Sequence, residues 1–200
     1  MEIKGENTWT QSMEYKFDNR IKFMIEMAEL AGPFKSVMDL GCGNQAAKKY
    51  LPSSVEYIPV NYMHQAPNTI IRDFNLGEFY EREADLMLCS GILEYIYEPL
   101  PFLRNISKYC LSSAGVGGHI VLSYVLDEYR KENAKIWVNS MTRDELLVIF
   151  DNVGFTIVRE KWYIPNHQKV FLLKNNVLNQ PSDSTNLIPL NGISKLFRST

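Results

Sequence analysis

Cysteine is scarce in this 200-residue chain, and its three thiols, Cys42, Cys89 and Cys110, fall at no C-x-x-C spacing. That excludes a disulfide framework or a thiolate zinc site, and it points to reduced thiols in the cytoplasm. Histidine is equally sparse: His64, His119 and His167 stand alone with no E-x-x-H or H-x-x-H partner, so no metal site is expected. An excess of one charge is also missing. Twenty-one Lys and Arg face 23 Asp and Glu, a net charge of -2 that gives no electrostatic reason to expect nucleic acid as a partner. No apolar run is long enough to span a bilayer, and the N-terminus lacks the basic start and apolar core of a signal peptide.

What is present is a chain that is 46% hydrophobic and long enough for one good core, so a single α/β domain is expected. Apolar residues Ile21, Met24, Ile25 and Ala28 recur at helical spacing over 18–30 before Gly32 and Pro33 stop the run. Residues 36–40 then read as a short buried strand, 41–44 as a turn, and 45–51 as a helix ending near Pro52. Strands are expected over 55–60, 68–73 and 84–90, the last apolar enough to be central. Prolines 99 and 101 suit the start of a helix carrying Leu103, Ile106 and Cys110, and 117–125 reads as the fifth strand. Thr142 and Glu145 form a T-x-x-E capping box ahead of Leu146, Ile149, Phe150 and Val153, with Gly154 as the stop. Strands over 156–163 and 169–174, joined by "IPNHQ", close the sheet as an antiparallel pair, giving strand and helix alternating five times before it. The expected division is an N-terminal arm or lid over 1–17, the domain over 18–175, and a polar tail or extension over 176–200, where Asn, Ser, Pro and Thr dominate.

The stretch "KSVMDLGCGNQAA", residues 35–47, carries the chemistry. Its Gly41-x-Gly43-x-x-Ala46 spacing satisfies a relaxed dinucleotide fingerprint, and by itself it fits a dinucleotide, another nucleoside ligand or an empty tight turn. Asp39, two residues before the first glycine, is not part of the dinucleotide pattern.

Asp39-x-Gly41-x-Gly43 after an apolar strand resembles the first motif of class I (Rossmann-like) S-adenosylmethionine-dependent methyltransferases. The resemblance continues in chain order over roughly 18–174: the strand ending at Asn61, the acid and neighbour Asp73-Phe74, the "ADLMLCSGILEYI" strand and turn, and the late "MTRDELLVIFDNVGFTIV" helix and strand. It implies one Rossmann-like domain, a seven-stranded mostly parallel sheet with an antiparallel last strand and helices on both faces. It also implies S-adenosyl-L-methionine as cofactor, without metal. By that resemblance Asp39, Gly41, Cys42 and Gly43 cradle the cofactor, Asn61 and Tyr62 meet the ribose and adenosine, Asp73 and Phe74 receive the adenine, and Ser90 and Gly91 line the next turn. Glu94 and Tyr95, beside the methyl group, are the catalytic candidates, with aromatic packing for Tyr95 and a cap or solvated acid for Glu94 as the alternatives. Trp9, Tyr15 and Arg20 would close the site as a lid or form a terminal arm, and 129–135 would be a solvated helix face bordering the acceptor.

One position departs from the family pattern. Twenty residues after Gly41, an acid usually grips both ribose hydroxyls, and here stands Asn61. The amide loses charge assistance worth about 1 kcal/mol, and Asn61→Asp is expected to tighten cofactor binding in an active enzyme. The expected activity is methyl transfer to a small-molecule acceptor, with O-methylation of a sugar or polysaccharide precursor as the narrower expectation, by a monomer or homodimer. A catalytically silent methyltransferase-like binding domain is the second reading, and a nicotinamide-dependent oxidoreductase a third that Asp39 speaks against.

Overall fold

The computed structural model describes residues 11–112, 117–129, 137–165 and 167–176, with side chains from Phe17 onward. The expectations for Trp9, for the Tyr15 side chain, for 130–135 and for the tail from 177 lie outside the described residues. The chain runs α1 (Gln11–Glu29), β1 (Ser36–Leu40), β2 (Glu56–Asn61), β3 (Ile70–Ile71), β4 (Leu86–Ser90), α2 (Pro99–Tyr109), β5 (His119–Val125), α3 (Arg143–Asn152), β6 (Phe155–Ile164) and β7 (Gln168–Asn175). All seven strands join one sheet in the order β3-β2-β1-β4-β5-β7-β6. β1 to β5 are mutually parallel, while β7 runs antiparallel between β5 and β6. The expected sheet is therefore present.

Alternation along the strands explains the layers. Side chains two apart share a face, so Val37, Leu86, Leu88, Val121, Val170 and Leu172 meet Ile21, Met24, Ile25 and Ala28 of α1 on one side. Their neighbours Met38, Met87, Cys89, Ile120, Leu122, Phe171 and Leu173 point the other way, onto Phe102, Leu103 and Ile106 of α2 and Leu146, Ile149 and Phe150 of α3. Strands covered on both faces read as continuous apolar runs, which is why "DLMLC" and "IVLSYV" carry so little polarity. Each large side chain so buried stabilises the fold by about 1.5–3 kcal/mol, and Met24, with no exposed surface, anchors α1.

Several boundaries differ from expectation. α1 begins at Gln11, seven residues early, because the apolar spacing of Ile21 and Met24 extends back through Phe17 and Met13 at i, i+4 steps. Residues Ala46–Tyr50 form a 3-10 turn instead of a helix: Gln45 enters left-handed at φ 61° and Leu51 leaves extended, so there is no room to nucleate α-helical turns. β3 shrinks to Ile70–Ile71, since Asp73 caps a second 3-10 turn, Phe74–Leu76, through its bond from the Asn75 amide. Three α-helices, not five, accompany the strands among the described residues. The capping box forms as expected, with Thr142 accepting from the Glu145 amide and Glu145 from the Thr142 amide.

The sheet order fixes where a ligand can sit. From β1 the chain winds outward through β2 and β3, then returns to place β4 on the other side of β1. Connections leave β1 and β4 in opposite directions there, opening a crevice at their carboxyl ends. At the opposite ends the two strands are latched, with Asp85 Oδ2 accepting from the Lys35 and Ser36 amides at 2.7 and 3.0 Å. A cavity of about 220 Å³ near that latch, lined by Phe34, Asp85, His119 and Lys174 among others, lies across the sheet from the crevice.

Candidate functional site

The glycine turn after β1 is built by backbone geometry no other residue supports well. Gly41 and Gly43 hold φ of 78° and 50°, and a Cβ at Gly41 would come within 2.6 Å of Ile92 Cδ1. The turn is pinned to β2, since the Gly41 and Cys42 amides both donate to the Val60 carbonyl at 2.8 and 3.1 Å. Gln45 ties its far side down, donating to the Pro67 carbonyl at 2.7 Å and the Thr69 hydroxyl at 3.1 Å.

Asp39 closes β1 on the α1 face, 2% exposed. The Tyr57 hydroxyl donates to it at 2.6 Å. Burial pushes the Asp39 carboxyl up to about 7 while the Tyr57 bond opposes the rise. Burial, helped by the Asp39 carboxylate, pushes the Cys42 thiol up to about 12, so Cys42 serves here as backbone and small side chain, not as a nucleophile. Asn61, at the end of β2 and 6% exposed, donates through Nδ2 to the Met63 carbonyl at 3.1 Å and to Gln65 Oε1 at 3.3 Å. Tyr62 beside it is about half exposed.

Across the crevice β4 ends at Ser90 and turns through Gly91 at φ 63°. Arg20 of α1 reaches this turn, donating to the Ser90 hydroxyl at 3.0 Å and to its carbonyl at 3.3 Å. Its guanidinium lies so near that a Cβ on Gly91 would meet it at 2.8 Å. The Gly91 amide is taken by Ser123 of β5 at 2.9 Å. Desolvation lowers the Arg20 pKa and the field of Glu94 opposes that shift.

Glu94 and Tyr95 belong to a 3-10 turn, Leu93–Tyr95. The alternative of a solvated acid is overturned: Glu94 is 2% exposed, accepts from the Val125 amide through Oε1 at 3.1 Å, and leaves Oε2 buried without a hydrogen bond. Burial raises its pKa, with Arg20 and the backbone bonds opposing. Burial likewise raises Tyr95, which a hydrogen bond from Trp137 opposes. Asp73 spends one carboxylate oxygen on the Asn75 amide at 2.9 Å, and the Phe74 ring packs 5.1 Å from Phe102. Asn75 then joins two rims of the crevice, donating to the Tyr95 carbonyl and accepting from the Tyr97 amide, each at 2.9 Å.

The structure thus brings Asp39, Gly41, Cys42, Gly43 and Asn61 together on one rim and Ser90, Gly91, Glu94 and Tyr95 on the other, with Asp73 and Phe74 beyond β3. Tyr57, Gln65, Ser123, Asn75 and Asn139 were not singled out from sequence. Asn139 donates to the Leu93 and Ile96 carbonyls at 2.6 and 2.7 Å while accepting from the Tyr124 hydroxyl at 2.6 Å, and so fixes the Glu94 turn from a loop 45 residues away. Only the polar residue at the end of β2 offered a local hint, through Gln65 four positions on. Among the described residues no group of His, Cys, Asp and Glu could hold a metal, and no helix is long and apolar enough to cross a membrane.

A parallel sheet with a switch point, left-handed glycines at its crevice and a reversed β7 defines a Rossmann-like architecture. No protein-family profile matches the sequence, and no curated protein sequence matches it. Solved structures do match. Burkholderia thailandensis 1,6-didemethyltoxoflavin-N1-methyltransferase, with 1,6-didemethyltoxoflavin and S-adenosylhomocysteine bound, aligns at TM-score 0.63 and 16% identity over 83% of this chain and 81% of that one. The N-methyltransferase NodS from Bradyrhizobium japonicum aligns at 0.60 and 13% over 83% and 98%. A S-adenosylmethionine-dependent methyltransferase from Clostridium acetobutylicum aligns at 0.61 and 12% over 81% and 92%. The chain has the class I S-adenosylmethionine-dependent methyltransferase fold.

Proposed function

We propose that this protein is a S-adenosylmethionine-dependent methyltransferase acting on a small-molecule acceptor. The observation that carries the reading is the crevice at the β1/β4 switch point, where two left-handed glycines expose backbone between the buried acceptors Asp39 and Asn61. The residues fit the cofactor's chemistry: Asp39 offers a carboxylate for its ammonium, Asn61 an amide oxygen for its ribose, and Asp73 a free carboxylate oxygen for its adenine amino group. Arg20 is the cation available to its carboxylate. S-adenosylmethionine supplies an electrophilic methyl on sulfonium when bound.

Because sulfonium leaves readily, this chain's work is alignment and exclusion of water, with a base needed only if the acceptor must shed a proton. Tyr95, fixed by Trp137, walls the acceptor side, and Glu94 holds the end of β5 through Val125 with one oxygen left to receive a proton. Sugar or polysaccharide-precursor O-methylation is the narrower reading, and it rests on the likeness of "YIPVNY" and "NTIIRDFN", within residues 57–75, to methyltransferases of bacterial polysaccharide and other secondary pathways. Calorimetric titration with S-adenosylmethionine and S-adenosylhomocysteine, with NAD as control, tests the core of the proposal. Micromolar binding of both and none of NAD is expected, followed by S-adenosylhomocysteine release on a small-molecule panel. Binding without turnover on any acceptor would favour the silent-domain reading, which the missing acid at position 61 motivates.

A further inference from the structure

We propose that the cavity at the amino ends of β1, β4 and β5 is a second binding site, built for a small oxyanion of phosphate size and separate from the crevice. Strand register makes one wall of it. His119 at the start of β5 stands opposite Lys174 of β7 on one side and Leu86 of β4 on the other, so the three form a row across the sheet. Alternation puts His119 and Lys174 on the face of Val121 and Leu172, which α1 covers. The chain leaving α1, residues 31–34, lines the cavity with this row, as does Ser112 beyond α2.

The polar side chains on these walls have hydrogen-bonding capacity to spare. Lys174 Nζ donates to the Gly117 carbonyl and makes no ion pair among the described residues, so its ammonium keeps donors unspent. His119 is bonded through its backbone alone, its carbonyl accepting from Cys110 Sγ and its amide donating to the Asp85 carbonyl. Ser112 Oγ is buried with no partner among the described residues. Asp85 is the one acid among the described lining residues, and its Oδ2 is taken by the Lys35 and Ser36 amides and the Ser36 hydroxyl. Residues 31–34 add no charged side chain.

Two basic groups directly opposite across a strand pair repel once both are charged. Burial and the Lys174 charge accordingly hold the His119 pKa below its ordinary value. An oxyanion turns that cost into attraction, because it can accept from the ammonium, the serine hydroxyl and a protonated imidazole together. Size narrows the class. At about 220 Å³ the cavity is smaller than the pockets of about 300 Å³ and more that take drug-sized ligands, so it admits a phosphate group with few further atoms.

The test follows the three histidines by proton NMR across pH, in sodium phosphate and in sodium chloride of equal ionic strength, with H119Q identifying the His119 signal. Phosphate is expected to raise the His119 midpoint by about half a pH unit or more over chloride. His64 and His167, beyond β2 and between β6 and β7 at the other end of the sheet, should not move. K174M should raise the His119 midpoint in chloride, because its cationic neighbour is gone, and should lose most of the phosphate response. S112A should keep the chloride midpoint and weaken phosphate binding about threefold, and it keeps the proposal falsifiable if K174M does not fold. Equal His119 midpoints in the two salts, a phosphate response shared by all three histidines, or one that survives intact in either variant would overturn the site. None of these outcomes depends on whether the crevice binds S-adenosylmethionine.

Discussion

Asp39, the acceptor proposed for the cofactor's ammonium, is buried at the expense of the fold's own stability. Its pKa is about 7 when folded against 3.8 as a free side chain, so the folded state holds a proton that the unfolded chain releases. The contribution to stability is full below pH 3.8, falls as pH rises through that window, and is flat above about 7. Asp39→Asn removes the window while still accepting from Tyr57. The ligand-free variant should be more stable than wild type at pH 8 by up to about 4 kcal/mol, with no gain at pH 3.5, and should bind S-adenosylhomocysteine more weakly. Urea unfolding at the two pH values checks this, and an unchanged pH slope would refute it. The local chemistry of this site was legible in sequence because glycine spacing and Asp39 lie within five residues. Tyr57, its hydroxyl donor, was not, since that contact depends on the β1 and β2 register that sets Val37 opposite Tyr57.

At the scale of elements, α3 is the piece whose rules are local. Thr142 and Glu145 exchange hydrogen bonds across one turn, and Leu146, Ile149 and Phe150 supply the buried stripe. Thr142→Ala should cost about 1 kcal/mol and speed hydrogen exchange of the first α3 amides. Equal exchange in both proteins would show that tertiary packing alone holds the helix. Boundaries were legible where such signals exist and illegible elsewhere. The run "QAAKKYL" has helical composition, yet the left-handed Gln45, tied by its own side chain to Pro67 and Thr69, leaves it only a 3-10 turn. α1 begins before the expected start at Asp18 because Met13 and Phe17 carry its apolar spacing two turns further back.

For the whole molecule, closure depends on the last strand. β7 enters between β5 and β6, and Asn175 at its end, 1% exposed, donates to the Ser107 and Cys110 carbonyls at 2.7 and 2.9 Å while accepting from the Ser107 hydroxyl at 3.0 Å. Asn175→Ala removes three hydrogen bonds at the foot of α2, although the Cys110 carbonyl keeps its bond from the Gly118 amide, and should cost about 2 kcal/mol. Circular dichroism and tryptophan fluorescence should shift together in urea; separated transitions would mean that β7 frays independently of the sheet. The mostly parallel, seven-stranded sheet with its antiparallel last strand followed from chain-order motifs, whereas this knot of polar contacts joins residues 65 to 68 positions apart and left no mark in any one window. The three free thiols sit at different places in this architecture: Cys42 in the glycine turn, Cys89 within β4 and Cys110 beyond α2. All are buried with raised pKa values, so each resists an alkylating reagent until its surroundings open. The molecule therefore carries a native clock. The order in which a mass spectrometer finds the three cysteines labelled would read out whether the crevice breathes before the sheet comes apart.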